Sequence, residues 1–155
     1  MLQNNDHDIS VINSLITTTI DSANGFENSA EDVRGTQFEQ MFRDFAQERR
    51  QVVGRLQEFV RQRGGTPNDD GSLKAELHRR FEDLRAAIGG GGGEKAVIEE
   101  VERGEDYIKE KYETALKDDK LSPETRSVIT ECFDSVRRGH DRARDLKHSM
   151  QGAGA

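Results

Sequence analysis

The sequence predicts an all-α fold: four long helices in a bundle, with one long crossover between the second and the third. Three observations carry that prediction. Apolar residues recur at alternating steps of three and four over long stretches, which is the spacing of one buried helical stripe. The two prolines, Pro67 and Pro123, stand only where helices begin or end. The chain of 155 residues is 32% apolar and 34% charged, the balance expected of narrow core stripes with solvated outer faces. Its length fits one domain, residues 1–155.

The first helix is expected over residues 8–33, on the seam Ile9, Ile12, Ile16, Thr19, Ala23, Phe26, Ala30, Val33. Gly35 is placed to end it in the left-handed conformation. Thr36 then caps the second helix, with Glu39 three residues on, the capping-box arrangement. That helix is expected over 36–63, on the seam Phe38, Phe42, Phe45, Arg49, Val52, Leu56, Phe59, in which Arg49 is the one charge. Gly64-Gly65-Thr66-Pro67 stops it. The crossover, 64–93, holds a short amphipathic helix over 72–88 and five consecutive glycines, Gly89 to Gly93, of linker composition. A phosphate-cradling loop would need a strand before the glycines, and no strand pattern precedes them in the sequence. The third helix, 94–117, carries Ile98, Val101, Glu105, Ile108, Tyr112 and Ala115. Ser122-Pro123 opens the fourth, 123–150, with Ile129, Cys132, Val136, Gly139, Ala143, Leu146 and Met150 on its seam. Short loops make helices one and two, and three and four, antiparallel neighbours. The long crossover lets helices two and three run parallel, which is the ferritin-like plan.

Composition excludes several function classes. The net charge of −7 argues against a nucleic-acid partner, because phosphate binding calls for a basic face. Arg49-Arg50, Arg79-Arg80 and Arg137-Arg138 are each embedded among acids, as on an ion-paired helix surface. No run approaches the roughly 18 apolar residues that span a bilayer, so no membrane role is expected. The polar N-terminus lacks a signal-peptide plan, and the single cysteine, Cys132, lies on a seam. Both fit a reduced, cytoplasmic setting.

The two halves resemble each other. Sliding the first seam by 82 positions lays Ile16 on Ile98, Phe26 on Ile108 and Ala23 on Glu105. A duplicated helix pair with an acid in one seam and alanine in the other hints at a metal site that is half present.

These patterns come with a resemblance. Asp21-Ser22-Ala23-Asn24-Gly25-Phe26, Arg63-Gly64-Gly65-Thr66-Pro67, Leu77-His78-Arg79-Arg80-Phe81-Glu82-Asp83-Leu84, Glu102-Arg103-Gly104-Glu105-Asp106 and His140-Asp141-Arg142 occur in that order. In these the chain resembles, over about residues 9–147, a family of small bacterial four-helix-bundle proteins, a domain of unknown function in the ferritin-like superfamily. The resemblance implies the bundle fold and, from the superfamily, a link to stress physiology. It also implies candidate metal-ligating glutamates where this chain has Ala23 and near Arg55, both missing here, whereas Glu105 and His140 match.

A dinuclear centre in such a bundle needs about four carboxylates and two histidines, usually with Glu-x-x-His pairs. No such spacing lies near a seam, and the second helix has no histidine. Glu76 and His78 are two apart and cannot share a face. The remaining metal candidate is mononuclear, with Glu105, His140 and Glu102 holding Fe, Mn or Zn. Against it stands a buried polar network of Arg49, Arg55, Glu105 and His140, because a buried carboxylate requires a partner. His78 is expected to pack on the bundle, His7 and His148 to be solvated, and Tyr107 and Tyr112 to pack with bonded hydroxyls. Cys132 is expected to be inert, and His140 is too far along the helix to activate it. The leading expectation is a non-enzymatic bundle without a cofactor, acting through a protein partner or through self-association. The alternative is a metal-binding bundle with oxidase or storage activity.

Overall fold

The computed structural model describes residues 2–70 and 93–153. Four helices account for nearly all of them: α1 Leu2–Asp32, α2 Phe38–Gln62, α3 Gly93–Leu116 and α4 Pro123–Ala153. The described residues are all-helical with no strand. The expected helix at 72–88, with His78 and most of the glycine run, lies outside the described residues.

The ends of the helices follow local chemistry. Gly35 and Gly64 adopt φ of 83° and 81°, the left-handed region open to glycine. After α2, the Gly65 N–H donates to Val60 O at 3.0 Å and the Gly64 N–H to Arg61 O at 3.0 Å, the paired bonds of a Schellman ending. The expected capping box at α2 is shifted. Glu39 Oε1 accepts from the Gly35 N–H at 3.0 Å, and Thr36 Oγ1 accepts from the Phe38 N–H at 3.2 Å. Helix α2 therefore starts two residues later than Thr36 implied, while α1 starts earlier than residue 8. At α4, Ser122 Oγ accepts from the Thr125 N–H at 3.3 Å with Pro123 in the first turn, the cap expected there.

Helix directions follow from side-chain contacts. Thr19 of α1 meets Tyr112 of α3 at 2.8 Å, and His7, near the start of α1, meets Asp118, just past the end of α3. Helices α1 and α3 are thus antiparallel, and so are the hairpin pairs α1–α2 and α3–α4. Consequently α2 and α3 run in the same direction. Helix α1 packs against α2 and α3, and α4 against α3 and α2, so α2 and α3 face each other across a diagonal without close backbone approach. After α2 the chain turns back along α1: Asn13 Nδ2 donates to Thr66 O at 3.1 Å, and Asn13 Oδ1 accepts from the Asn68 N–H at 2.7 Å.

Most seam residues are buried, with Ile9 and Leu146 partly so, and α1 and α2 bury more than their seams. Leu15 and Ile20 join Ile12, Ile16, Ala23, Phe26, Ala30 and Val33 in the interior, as Ala46, Val53 and Val60 do on α2, because each of these helices meets two neighbours. The apolar core falls into two parts. One contains Ile12, Ile16, Leu56, Ile108, Tyr112, Ile129 and Val136, and the other Phe26, Val33, Phe42, Phe45, Ile98, Val101 and Ala143. Between them lies a polar layer.

Candidate functional site

The polar layer is built on Arg49 and Glu105, which are 2% and 1% exposed. Each sits at a seam position of its helix, so helical periodicity alone directs both side chains inward. They come from α2 and α3, and their bond therefore spans the diagonal of the bundle. Arg49 Nη2 donates to Glu105 Oε1 and Oε2, both at 2.8 Å. It also approaches Val136 O on α4 at 3.4 Å, while Arg49 Nη1 donates to Ser22 Oγ on α1 at 2.8 Å. The guanidinium carbon lies 5.3 Å from the centre of the Phe26 ring, a cation–π distance. Gly139 makes the room. A Cβ on Gly139 would overlap Arg49 Nη2 and meet Glu105 Oε1 at 3.3 Å.

The electrostatics are those of a desolvated pair. Burial raises the Glu105 carboxyl above the ordinary carboxylate range, and the Arg49 charge and hydrogen bonds pull it back only in part. His140 adds a smaller lowering influence. It lies at the edge of the layer and does not bond Glu105. Its Nε2 is 2.5 Å from Asp106 Oδ1, and its Nδ1 is 3.5 Å from Asp141 Oδ1. Glu102, one turn before Glu105, is paired instead with Lys147 across the α3–α4 interface at 3.1 Å.

Of the residues singled out in the sequence, the structure brings Arg49 and Glu105 together, with His140 nearby. Arg55 lies elsewhere. It is exposed on α2 and its Nε donates to Glu131 Oε2 at 3.1 Å, so it takes no part in the buried group. Glu105, His140 and Glu102 do not point at one place. Among the described residues no three His, Cys, Asp or Glu side chains gather as a metal ion would require. At Glu105 both carboxylate oxygens are engaged by Arg49, and at His140 the Nε2 is engaged by Asp106.

Cys132 is buried, and burial pushes its thiol up to about 12, which keeps it protonated and unreactive. Tyr112 is fully buried, with its hydroxyl on Thr19 Oγ1, while Tyr107 is 48% exposed.

A second polar cluster was not anticipated. His7, expected to be solvated, bonds Asp118 Oδ2 through Nε2 at 2.7 Å and is only partly exposed. Asp8, 1% exposed, accepts from Thr125 Oγ1 at 2.8 Å and from the Ser122 N–H at 3.2 Å. Its carboxylate thus sits at the N-terminus of α4, where the helix dipole favours a negative charge. The signal was present, since Asp8 continues the α1 stripe one turn before Ile12. Ser22, Phe26 and Gly139 were also missed as partners of Arg49, because contacts between distant helices leave no mark in local spacing.

The chain matches the family described as Domain of unknown function (DUF2383) over residues 7–118, which spans α1 to α3 and ends before α4. No curated protein matches it. None of the helices among the described residues is long and apolar enough to cross a membrane.

Proposed function

The chain belongs to this DUF2383 family, and we propose that it is a non-enzymatic bundle of ferritin-like topology with a structural or protein-interaction role. The parallel run of α2 and α3, each part of an antiparallel hairpin, supports the topology. One observation carries the functional reading: both oxygens of the only acid at the bundle centre among the described residues, Glu105, are taken by Arg49 at 2.8 Å. A catalytic metal centre needs inward carboxylates free to ligate and an open coordination position. Here the inward acid neutralises a fixed internal cation, and outer helix faces carry ion pairs such as Arg50–Glu27 and Arg138–Asp134.

The test is metal content by plasma mass spectrometry, on untagged protein incubated anaerobically with Fe(II), Mn(II) and Zn(II). The expected result is retention no higher than a buffer control. Near-stoichiometric retention that disappears in Glu105→Ala would overturn the reading in favour of a metal-binding bundle with oxidase or storage activity.

A further inference from the structure

We infer that the centre of the bundle is a cation site whose built-in occupant is the Arg49 guanidinium, and that trimming Arg49 leaves a cavity that takes up a small guanidinium-class cation from solution. The inference deepens the metal-free reading above and rests on it.

The cage around the guanidinium comes from three helices other than its own. Helix α3 gives the Glu105 carboxylate, with both oxygens at 2.8 Å. Helix α1 gives Ser22 Oγ at 2.8 Å and the face of Phe26 at 5.3 Å. Helix α4 gives the Val136 carbonyl at 3.4 Å and, at Gly139, the absence of a side chain that the guanidinium would strike. Carboxylate, carbonyl, hydroxyl and aromatic face are all complementary to positive charge. A site shaped only to fill space would not combine them around one group.

Two features select an organic monocation over a divalent metal. First, charge: Glu105 is 1% exposed and supplies a single negative charge, so a dication would leave a net positive charge buried in low dielectric. Second, ligands: hard divalent ions seek about six oxygens, whereas the cage offers few oxygens and an aromatic face, which suits a flat, weakly hydrated guanidinium.

The experiment follows thermal unfolding of Arg49→Ala with and without millimolar methylguanidinium. Arg49→Ala should melt below the wild type, and methylguanidinium should raise its Tm saturably by several degrees. The same additive should leave unchanged the wild type, whose cage is filled, and Arg49→Ala/Glu105→Gln, whose cage has lost its charge. No shift in Arg49→Ala, or an equal shift in the wild type, would overturn the proposal. So would a Tm rise with Mn(II) or Zn(II) in place of methylguanidinium. If Arg49→Ala does not fold by itself, methylguanidinium must restore its helical circular dichroism, and failure to do so counts against the site. Arg49→Lys should also melt above Arg49→Gln, since only lysine keeps the charge; the reverse order would sink the idea. Metal retention by the wild type that depends on Glu105 would overturn the functional reading and this proposal together, whereas the absence of a methylguanidinium shift overturns the proposal alone, so the two failures are distinguishable.

Discussion

At the scale of single residues, Arg49 and Glu105 decide how the interior responds to mutation and to pH. Removing one partner of a buried pair leaves the other charge uncompensated, at a cost of about 3–5 kcal/mol. Arg49→Leu should therefore lower the unfolding free energy by about that amount in urea titrations at neutral pH. The deficit should shrink on acidification. Burial already holds the Glu105 carboxyl above its ordinary range, and without Arg49 the main opposing influence is gone. The folded state then binds the proton more tightly than the unfolded chain, so its stability falls as pH rises from about 4.5 through the folded-state pKa and recovers as pH falls. The gap between wild type and Arg49→Leu should accordingly be smaller at pH 5 than at pH 8. A constant gap would mean that Glu105 is not the group left stranded. Carboxylates at the helix ends work with the opposite sign. Hydrogen bonds from Arg43 and Arg34 hold Glu31 low, and the Lys120 N–H and His7 hold Asp118 low, so their contributions are lost as pH falls through those lowered values.

At the scale of helices, glycine in mid-helix separates two physical cases. Gly104 of α3 is exposed, and a Cβ there would meet nothing within 4 Å. Gly104→Ala should stabilise by about 0.5–1 kcal/mol through helix propensity alone. Gly139 of α4 is buried against Arg49, and Gly139→Ala should instead destabilise by about 1–3 kcal/mol, as overpacking does. Paired chemical denaturation curves would show opposite shifts in midpoint; two stabilised variants would mean that the guanidinium has room to spare. Local pattern made much of this scale legible. The seams, Gly35, the Gly64-Gly65 stop and the Ser122-Pro123 start all express chemistry within a few residues. The shifted start of α2 was less legible, because Glu39 can satisfy either of two neighbouring N–H groups and the sequence does not rank them. The second buried face of α1 was hidden for another reason. Leu15 and Ile20 are core only because two helices flank α1, which is a property of the assembled bundle.

At the scale of the molecule, the polar layer divides the core into two apolar halves, and its Arg49–Glu105 bond ties one hairpin to the other. A buried pair of this kind is weak evidence for stability. Replacing both partners, as Arg49→Leu/Glu105→Leu, should be neutral or stabilising by up to about 4 kcal/mol relative to the wild type, in contrast to the single change. If the layer serves register, the double variant should also show broadened amide peaks or added conformers by NMR. Sharp single peaks would leave the layer without that role. The candidate site was legible only in outline. The inward charges at 49 and 105 stood out against their apolar stripes, but which charges meet is settled by heights along helices far apart in sequence. Arg55 is only six residues beyond Arg49, yet it faces solvent and Glu131. Glu102 turns to Lys147, a residue that no spacing rule connected to it.

The Thr19–Tyr112 bond has an optical consequence. The chain contains no tryptophan and two tyrosines, so its near-ultraviolet signal comes chiefly from Tyr107 and Tyr112. Burial holds the Tyr112 phenol far above its ordinary pKa of about 10, and its hydroxyl ties α1 to α3. In an alkaline titration its phenolate absorbance should stay dark until the two hairpins separate, and then appear together with the loss of helical circular dichroism. Without any label, the protein carries a colour indicator for the parting of its halves.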